Sequence, residues 1–508
     1  MIRRFAPAAV LLVLAATHVH AQLPLITVPS GALRIDLSGN FYPNDHFWDS
    51  GTTRPLGSTL DGSSNPMVTG LQTSLAQLLG QPVSGLSLGT VTAIAAREHG
   101  VGNIGLAYGL TRRISIFGTV PLVFVRSRVA IGVDATTARV GLNPGTTADN
   151  AFFGQFDTAL QHLAARIQGG DFAGDPTTLT LAQQTLSRGS AMRSGLYTLL
   201  ADPAHASPVL PTATDPYGSQ LLGQVSSLQS KLSTRLGVAD FTEAPVLQTI
   251  ALTSDEFASL VASPTGFGLT TSNTLPQLVL GDVEAGVAVQ LVEHGVVGAK
   301  SWSAAWLRIG GRFPTGSAAD PSMLLDQGSG DKHPAVQVDG IAEFGHHHVG
   351  LRVEGNYQHQ VAINSLQRIT PPDEVLVPPS FLAAVHSQPG DSFAVSARPF
   401  LAFAPHLAVT GVVQYWWKGA SRTGYLAGQA PIAGADPSQL DIGSAANAVV
   451  VGIGLSYVYT GAGRNGVTGL PVEAGWSLER TVASGAGIFP DALTSRVSLR
   501  IYRSIVKH

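Results

Sequence analysis

The feature that most constrains this chain is a hydrophobic period of two that recurs in segment after segment. Val283, Ala285, Val287, Val289 and Leu291 alternate with Glu284, Gly286, Ala288 and Gln290. Val336, Val338, Gly340, Ala342 and Phe344 alternate with Gln337, Asp339, Ile341 and Glu343. The same holds for Leu351 to Gln358, Leu407 to Lys418 and Arg496 to Ile501. Successive side chains of a strand point to opposite faces, so a sustained period of two is strand and not helix. Beyond the N-terminus no segment offers the ~18 uninterrupted apolar residues of a transmembrane helix.

One face of these strands is apolar. The other carries Glu284, Arg308, Arg312, Asp339, Glu343, Arg352, Glu354, Glu473, Arg496 and Arg500. In a soluble sandwich the polar face looks out to water; in a membrane barrel it looks into the lumen and the apolar face meets lipid. Periodicity alone leaves both open. Aromatic residues near strand ends (Phe344, Tyr357, Phe403, Tyr415, Trp417) favour the barrel, because such residues form girdles at the two membrane interfaces. So do the two signs of charge on one face, which a lumen pairs across its width. Glu479 belongs with this set.

Connection lengths point the same way. Thr111-Arg112-Arg113, Gly345-His346-His347-His348 and Ala404-Pro405-His406 read as tight turns, and long Gly/Pro/Ser/Asp-rich connections lie between them at 315–332, 362–391 and 419–444. Short periplasmic turns alternating with long external loops are the pattern of a bacterial outer-membrane barrel. Strands are expected near 31–41, 90–111, 114–130, 278–292, 302–313, 333–344, 347–360, 391–403, 406–418, 446–460, 469–483 and 493–505. That makes about 12, an even number, with both termini periplasmic; a further pair within 42–89 would make about 14.

Residues 133–277 interrupt the pattern with helical spacing. Phe152, Phe153, Phe156, Leu160, Leu163 and Ile167 fall on one stripe, and Leu221, Leu222, Val225, Leu228, Leu232 and Leu236 on another after Asp215-Pro216. Two more helices are expected around 180–201 and 254–263. Parity puts this insertion outside the cell. Either it buries its own stripes as a cap, or Phe152, Phe153, Phe156 and Leu160 offer an apolar ligand a landing surface. The expected organisation is a signal peptide over 1–21, first strands with a long loop over 22–132, a helical extracellular insertion over 133–277, and the remaining strands over 278–508.

The leader follows from Arg3 and Arg4, the apolar run from Phe5 to Ala16 and a Val19-His20-Ala21 cleavage site. Zero Cys excludes disulfides, thiolate metal sites and a cysteine nucleophile. A net charge of -3 gives no electrostatic footprint for nucleic acid. His346-His347-His348 sits on a tight turn, where three adjacent rings do not converge on one ion; a turn is the expected role, and no metal or cofactor is expected. Asp45-His46 and Glu293-His294 read as loop residues, no adjacent Ser/His/acid arrangement suggests a barrel hydrolase, and the chain is not expected to be an enzyme. The charged lumen residues are either interstrand ion pairs that fill a narrow lumen or a constriction that selects permeants.

Two strand pairs resemble a known family. They are Tyr108-Gly109-Leu110-Thr111-Arg112-Arg113-Ile114-Ser115-Ile116 followed by Val120-Pro121-Leu122, and Leu280-Gly281-Asp282-Val283-Glu284-Ala285-Gly286 followed by Gly310-Gly311-Arg312-Phe313-Pro314-Thr315-Gly316. Together they resemble the "MetA-pathway of phenol degradation" transporter-like family of outer-membrane proteins, related to the FadL-type channels for hydrophobic compounds. The resemblance covers the barrel strands and not the insertion. It implies passive uptake of small hydrophobic or aromatic compounds across the outer membrane of a Gram-negative cell. The partners expected are outer-membrane lipid, small apolar molecules and the barrel-assembly machinery. A structural or surface-binding barrel without transport is the alternative, and a barrel hydrolase, whose Ser, His and acid need not be adjacent in sequence, is the third reading.

Overall fold

The structure is a computed structural model that describes residues 25–505 apart from 146, 272–277, 296–299, 372–373, 405 and 460–469. The leader and the middle of the Ala404–His406 turn therefore lie outside the described residues. Twelve strands form one closed antiparallel sheet, a transmembrane β-barrel. They are β1 (Ala32–Asn44), β2 (Thr90–Gly109), β3 (Ile114–Asp134), β4 (Val283–His294), β5 (Trp302–Phe313) and β6 (Ala335–His346), then β7 (Val349–Gln360), β8 (Ser392–Ala404), β9 (Leu407–Lys418), β10 (Ala446–Tyr459), β11 (Val472–Ala486) and β12 (Leu493–Ser504). Each pairs with its sequence neighbours, and β1 closes the ring on β12 from Ala32↔Ser504 to Phe41↔Ser495. Closure leaves no strand edge unpaired, which is what lets a sheet sit in hydrocarbon. No helix among the described residues is long and apolar enough to cross a membrane.

The period of two sets the faces. Ile35, Leu37, Ile104, Ile116, Val287, Ile309, Val409, Val413, Ile453 and Val497 stand exposed on the outside of the wall. Phe344, Tyr357, Phe403, Tyr415 and Trp417 are exposed on that same outer face. The expectation of about 12 strands is met, and the alternative of 14 is not. Residues 45–89 hold a short hairpin (His46–Asp49, Thr52–Pro55) and helix α1 (Pro66–Leu79) in place of a further pair of wall strands. Its start is marked in the sequence by Asn65, whose side chain accepts from the Met67 amide, followed by Pro66; its end is Gly80 at φ 71.

The strands β2 and β3 run for 20 and 21 residues, longer than the other wall strands. Their outer ends carry a helical cap. Its helices are α1, α2 (Asn150–Gln168), α3 (Pro176–Leu200), α4 (Pro216–Ser230) and α5 (Ser254–Ala262). Asp175, Asp215 and Thr253 cap three of them through side-chain bonds to the first-turn amides. The apolar stripes close on one core that also takes in Leu71 and Leu75 of α1 and Val91 and Val133 at the tops of β2 and β3. Two further external sheets, 363–368 with 382–388 and 422–425, and 46–49 with 52–55 and 488–490, complete the outer surface.

Candidate functional site: the barrel lumen

Of the ten charged residues singled out in the sequence, Glu284, Arg308, Arg312, Asp339, Arg352, Glu354, Arg496 and Arg500 line the cavities inside the barrel, while Glu343 and Glu473 are buried beside their partners. Arg308 is opposite Asp339, Glu343 opposite Arg352, and Glu473 opposite Arg500. Arg312 is opposite Glu284, and Arg496 opposite Ser477. The side chains then find partners across one or two strands. Arg352 Nε donates to Glu343 Oε2 at 2.7 Å, with Glu343 2% and Arg352 6% exposed. Arg496 Nε donates to Glu479 Oε2 at 2.9 Å. Arg308 lies 3.6 Å from Asp339, and Arg398 3.7 Å from Glu354. Arg312 Nη2 donates to Asp331 Oδ2 at 2.9 Å, and Gln337 Nε2 to Glu284 at 2.9 Å.

The end of the lumen that carries the short turns is packed. Trp302, Trp306, Ile341, Phe400 and Ala408 are buried there, as are Glu343 and Arg352, and Tyr502 is buried against Val28, Ala32 and Ala107. Gly345 is required at this floor: a Cβ on it would fall 2.4 Å from the Trp302 ring. On the other side of the floor Arg34 Nε is 2.8 Å from Asp36, and Arg500 reaches both Asp36 (3.4 Å) and Glu473 (3.5 Å). The chain before β1 lies against this cluster. Leu25 N donates to Glu473 Oε1 at 3.1 Å, and Arg34 and Arg500 both donate to the Leu25 carbonyl.

Above the floor the lumen is open. A cavity of about 820 Å³ is lined by Asp36, Asn40, His99, Asn103, Phe117, Glu284, Arg308 and Arg312. A second of about 480 Å³ is lined by Asp339, Arg352, Glu354, Arg398, Gln414 and Arg496. Both touch Ile26, Ser38, Asn40, Asn103, Arg308, Ser498 and Arg500, so they are two lobes of one lumen. The Arg308 guanidinium stacks 4.5 Å over the Phe117 ring between them.

The sequence motifs turn out to be seats for the two segments that enter this lumen. In the first, Thr111 Oγ1 accepts from the Arg113 and Ile114 amides and shapes the turn, while Ser115 Oγ accepts from Val28 N at 2.8 Å and holds the N-terminal segment. In the second, Gly316 N donates to Asp282 Oδ1 at 2.9 Å and Thr315 Oγ1 to the Gly281 carbonyl at 2.6 Å. Asp282 Oδ2 also accepts from Asp331 N at 3.3 Å. The 314–334 loop is thereby folded inward, and its residues Gln327 to Asp331 line the larger lobe. Arg97 Nη2 and Ser127 Oγ fix the loop from the opposite wall through the Leu325 carbonyl, at 2.8 and 3.0 Å.

Phe152, Phe153, Phe156 and Leu160 are corrected from a capture surface to a core. All four are buried, with Phe156 stacked on Phe241 at 4.4 Å and Phe152 edge-on to Phe153 at 5.0 Å. A helix stripe that meets other stripes of the same cap is taken out of reach of a ligand. His347 occupies the β6–β7 turn at φ 51. Asp45 and His46 are hydrogen-bonded at 2.8 Å at the exposed outer rim. Sequence reasoning missed Arg34, Asp36, Asn40, Tyr42 and Arg398, although Arg34 to Tyr42 alternate with Leu33 to Phe41 as clearly as the strands it used. Asp282 entered only as part of a strand-pair motif, since nothing local to it tells that its carboxylate holds a loop 34 residues away.

No family model matches the chain, and no curated protein matches it. Solved structures of similar overall shape include an outer-membrane channel from Pseudomonas putida F1, 9% identical over 94% of this chain and 96% of that one, TM-score 0.39. Another is the CymD monoaromatic hydrocarbon channel, 10% identical over 95% and 90%, TM-score 0.26. The translocator domain of the autotransporter NalP from Neisseria meningitidis is a third, 7% identical over 94% and 90%, TM-score 0.29.

Proposed function

We propose that the protein is an outer-membrane channel for passive passage of small aromatic or hydrophobic compounds that carry a polar group. The observation that supports this most directly is the two-lobed lumen cavity, lined by aromatic rings and paired charges and bounded by two segments that enter from loops and from the chain before β1. Paired charges offer polar contacts to a permeant without the net field that would trap an ion. The motif resemblance to the phenol-degradation transporter-like family belongs to this proposal, as do export by the signal peptide, assembly by the barrel-assembly machinery and contact with outer-membrane lipid. A lateral route is available beside the axial one. Gly39 faces Gly102 on the outside of β1 and β2, and an apolar notch of about 420 Å³ lined by Leu37, Ile104, Leu122 and Val497 lies over the lumen residues Ser38 and Asn103.

The packed floor favours a second reading, a closed structural barrel. Single-channel recording of refolded protein in planar bilayers separates them, repeated with residues 140–270 deleted. Discrete openings that grow on deletion support a pore roofed by the cap. Absence of current from both forms, with the heat-modifiable gel mobility of a folded barrel, refutes an ion-conducting lumen and leaves uptake of apolar ligands through the wall as the remaining transport test.

A further inference from the structure

A third, smaller space opens off the lumen where the external strand 488–490 folds over β9 and β12. It holds about 180 Å³, room for one substituted ring and not for a fused system. Its walls are Trp416, Phe489 and Tyr42, with the Trp416 and Phe489 rings 5.1 Å apart at 51°. Tyr42 is itself fixed by stacking on His99 at 5.0 Å. Aromatic walls at these spacings suit an inserted ring, edge-on or offset-stacked.

The polar edge of the alcove is Arg496. Its Nε is bonded to Glu479 Oε2, and the other oxygen of Glu479 accepts from Ser477 Oγ at 2.9 Å. Glu479 is 2% exposed, so both its oxygens are committed and turned into the wall. The guanidinium is thereby held in one orientation, while its two terminal nitrogens have no hydrogen-bond partner among the described residues and face the lumen. A planar, pre-oriented guanidinium edge matches a carboxylate bidentately.

We infer that this alcove, formed by Tyr42, Gln414, Trp416, Phe489 and Arg496, is a binding site for monocyclic aromatic carboxylates. The ring lies against Trp416 and Phe489, and the carboxylate accepts from the free edge of Arg496. The inference deepens the channel reading by naming a permeant class, yet binding at the alcove does not require conduction. The test is equilibrium binding to the refolded full chain in detergent, by calorimetry and tryptophan fluorescence, with benzoate, benzyl alcohol and acetate as probes. Benzoate should bind saturably and at least about ten-fold more tightly than either control, since ring and charge each contribute and ten-fold is ~1.4 kcal/mol. Arg496→Gln should weaken benzoate by about ten-fold or more and leave benzyl alcohol unchanged. Trp416→Phe should keep the binding heat and lose most of the fluorescence change. Benzoate binding no tighter than benzyl alcohol, absent in the wild type, or indifferent to Arg496→Gln overturns the site, and the first two readings need no variant to fold. Saturable benzoate binding by a protein that passes no current would refute an ion-conducting lumen and leave this site standing.

Discussion

Removing Arg352 tests whether the lumen floor is held by a true buried pair. Glu343 and Arg352 face each other across β6 and β7, both nearly inaccessible, with the Nε–Oε2 bond at 2.7 Å. At that separation and an effective dielectric constant near 20, the Coulomb attraction is about 6 kcal/mol, most of it offset by the desolvation of two ions. Arg352→Met removes the attraction and leaves Glu343 buried and uncompensated, at a cost of about 3–5 kcal/mol. Glu343→Gln in the same chain removes the orphaned charge, so the double variant should recover most of that loss. The assay is urea unfolding in lipid vesicles followed by heat-modifiable gel mobility, with both single variants and the double forming a cycle. A value for Arg352→Met within about 1 kcal/mol of wild type, or a double variant no more stable than Arg352→Met, would show that water reaches Glu343 and that the floor is not sealed.

Three other outcomes follow from the same structure. Asp282→Ala removes the acceptor that folds the 314–334 loop inward, a loss of ~1.5–3 kcal/mol for a bond to a charged group; single-channel current should become larger and noisier, and unchanged traces would refute the seat. Asp215→Ala should cost the cap about 1–2 kcal/mol through the lost bond to Tyr217 N, read as faster proteolysis within 133–277 with the barrel's gel mobility unchanged. At the outer rim, hydrogen bonds from Tyr357 (2.6 Å) and then His359 (2.7 Å) hold the Asp391 carboxyl below its usual range. A depressed carboxyl contributes stability above its unfolded value of about 3.9 and loses it as pH falls through the folded value. Hydrogen exchange in the 361–391 loop should therefore accelerate below about pH 4 in the wild type, and Asp391→Asn should abolish that dependence.

The wall of this protein was legible residue by residue. Because strand side chains alternate strictly, Glu284, Arg308 and Asp339 could be set on one face and Val287, Ile309 and Val338 on the other before any pairing was known. The helical stripes of the cap were equally plain, and so was the short–long alternation of turns. Where local reading failed, the missing information lay in another segment. Phe152 and Phe156 have the same spacing whether their stripe meets a ligand or Phe241, and only packing decides. Asn65-Pro66 signals a helix start, yet the neighbouring polar residues of 42–64 gave no hint that the first long loop contributes to the cap core and not to the wall.

The sequence by itself determined which face of each strand is polar and where helices interrupt the strands, since these follow from backbone periodicity and from caps within a few residues; that the strands close as a ring rests on the pairing of β1 with β12, which belongs to the tertiary structure. The tertiary structure decided how the polar face is used. It put Leu25 and Ile26 against Arg34, Glu473 and Arg500, folded Gln327 to Asp331 into the lumen, and set Phe489 over Trp416 beside Arg496. Each of these depends on a contact between segments tens to hundreds of residues apart (Leu25 with Glu473, Asp282 with Gly316, Trp416 with Phe489), and such contacts depend on loop closure and shape complementarity, which have no signature in the local order of residues.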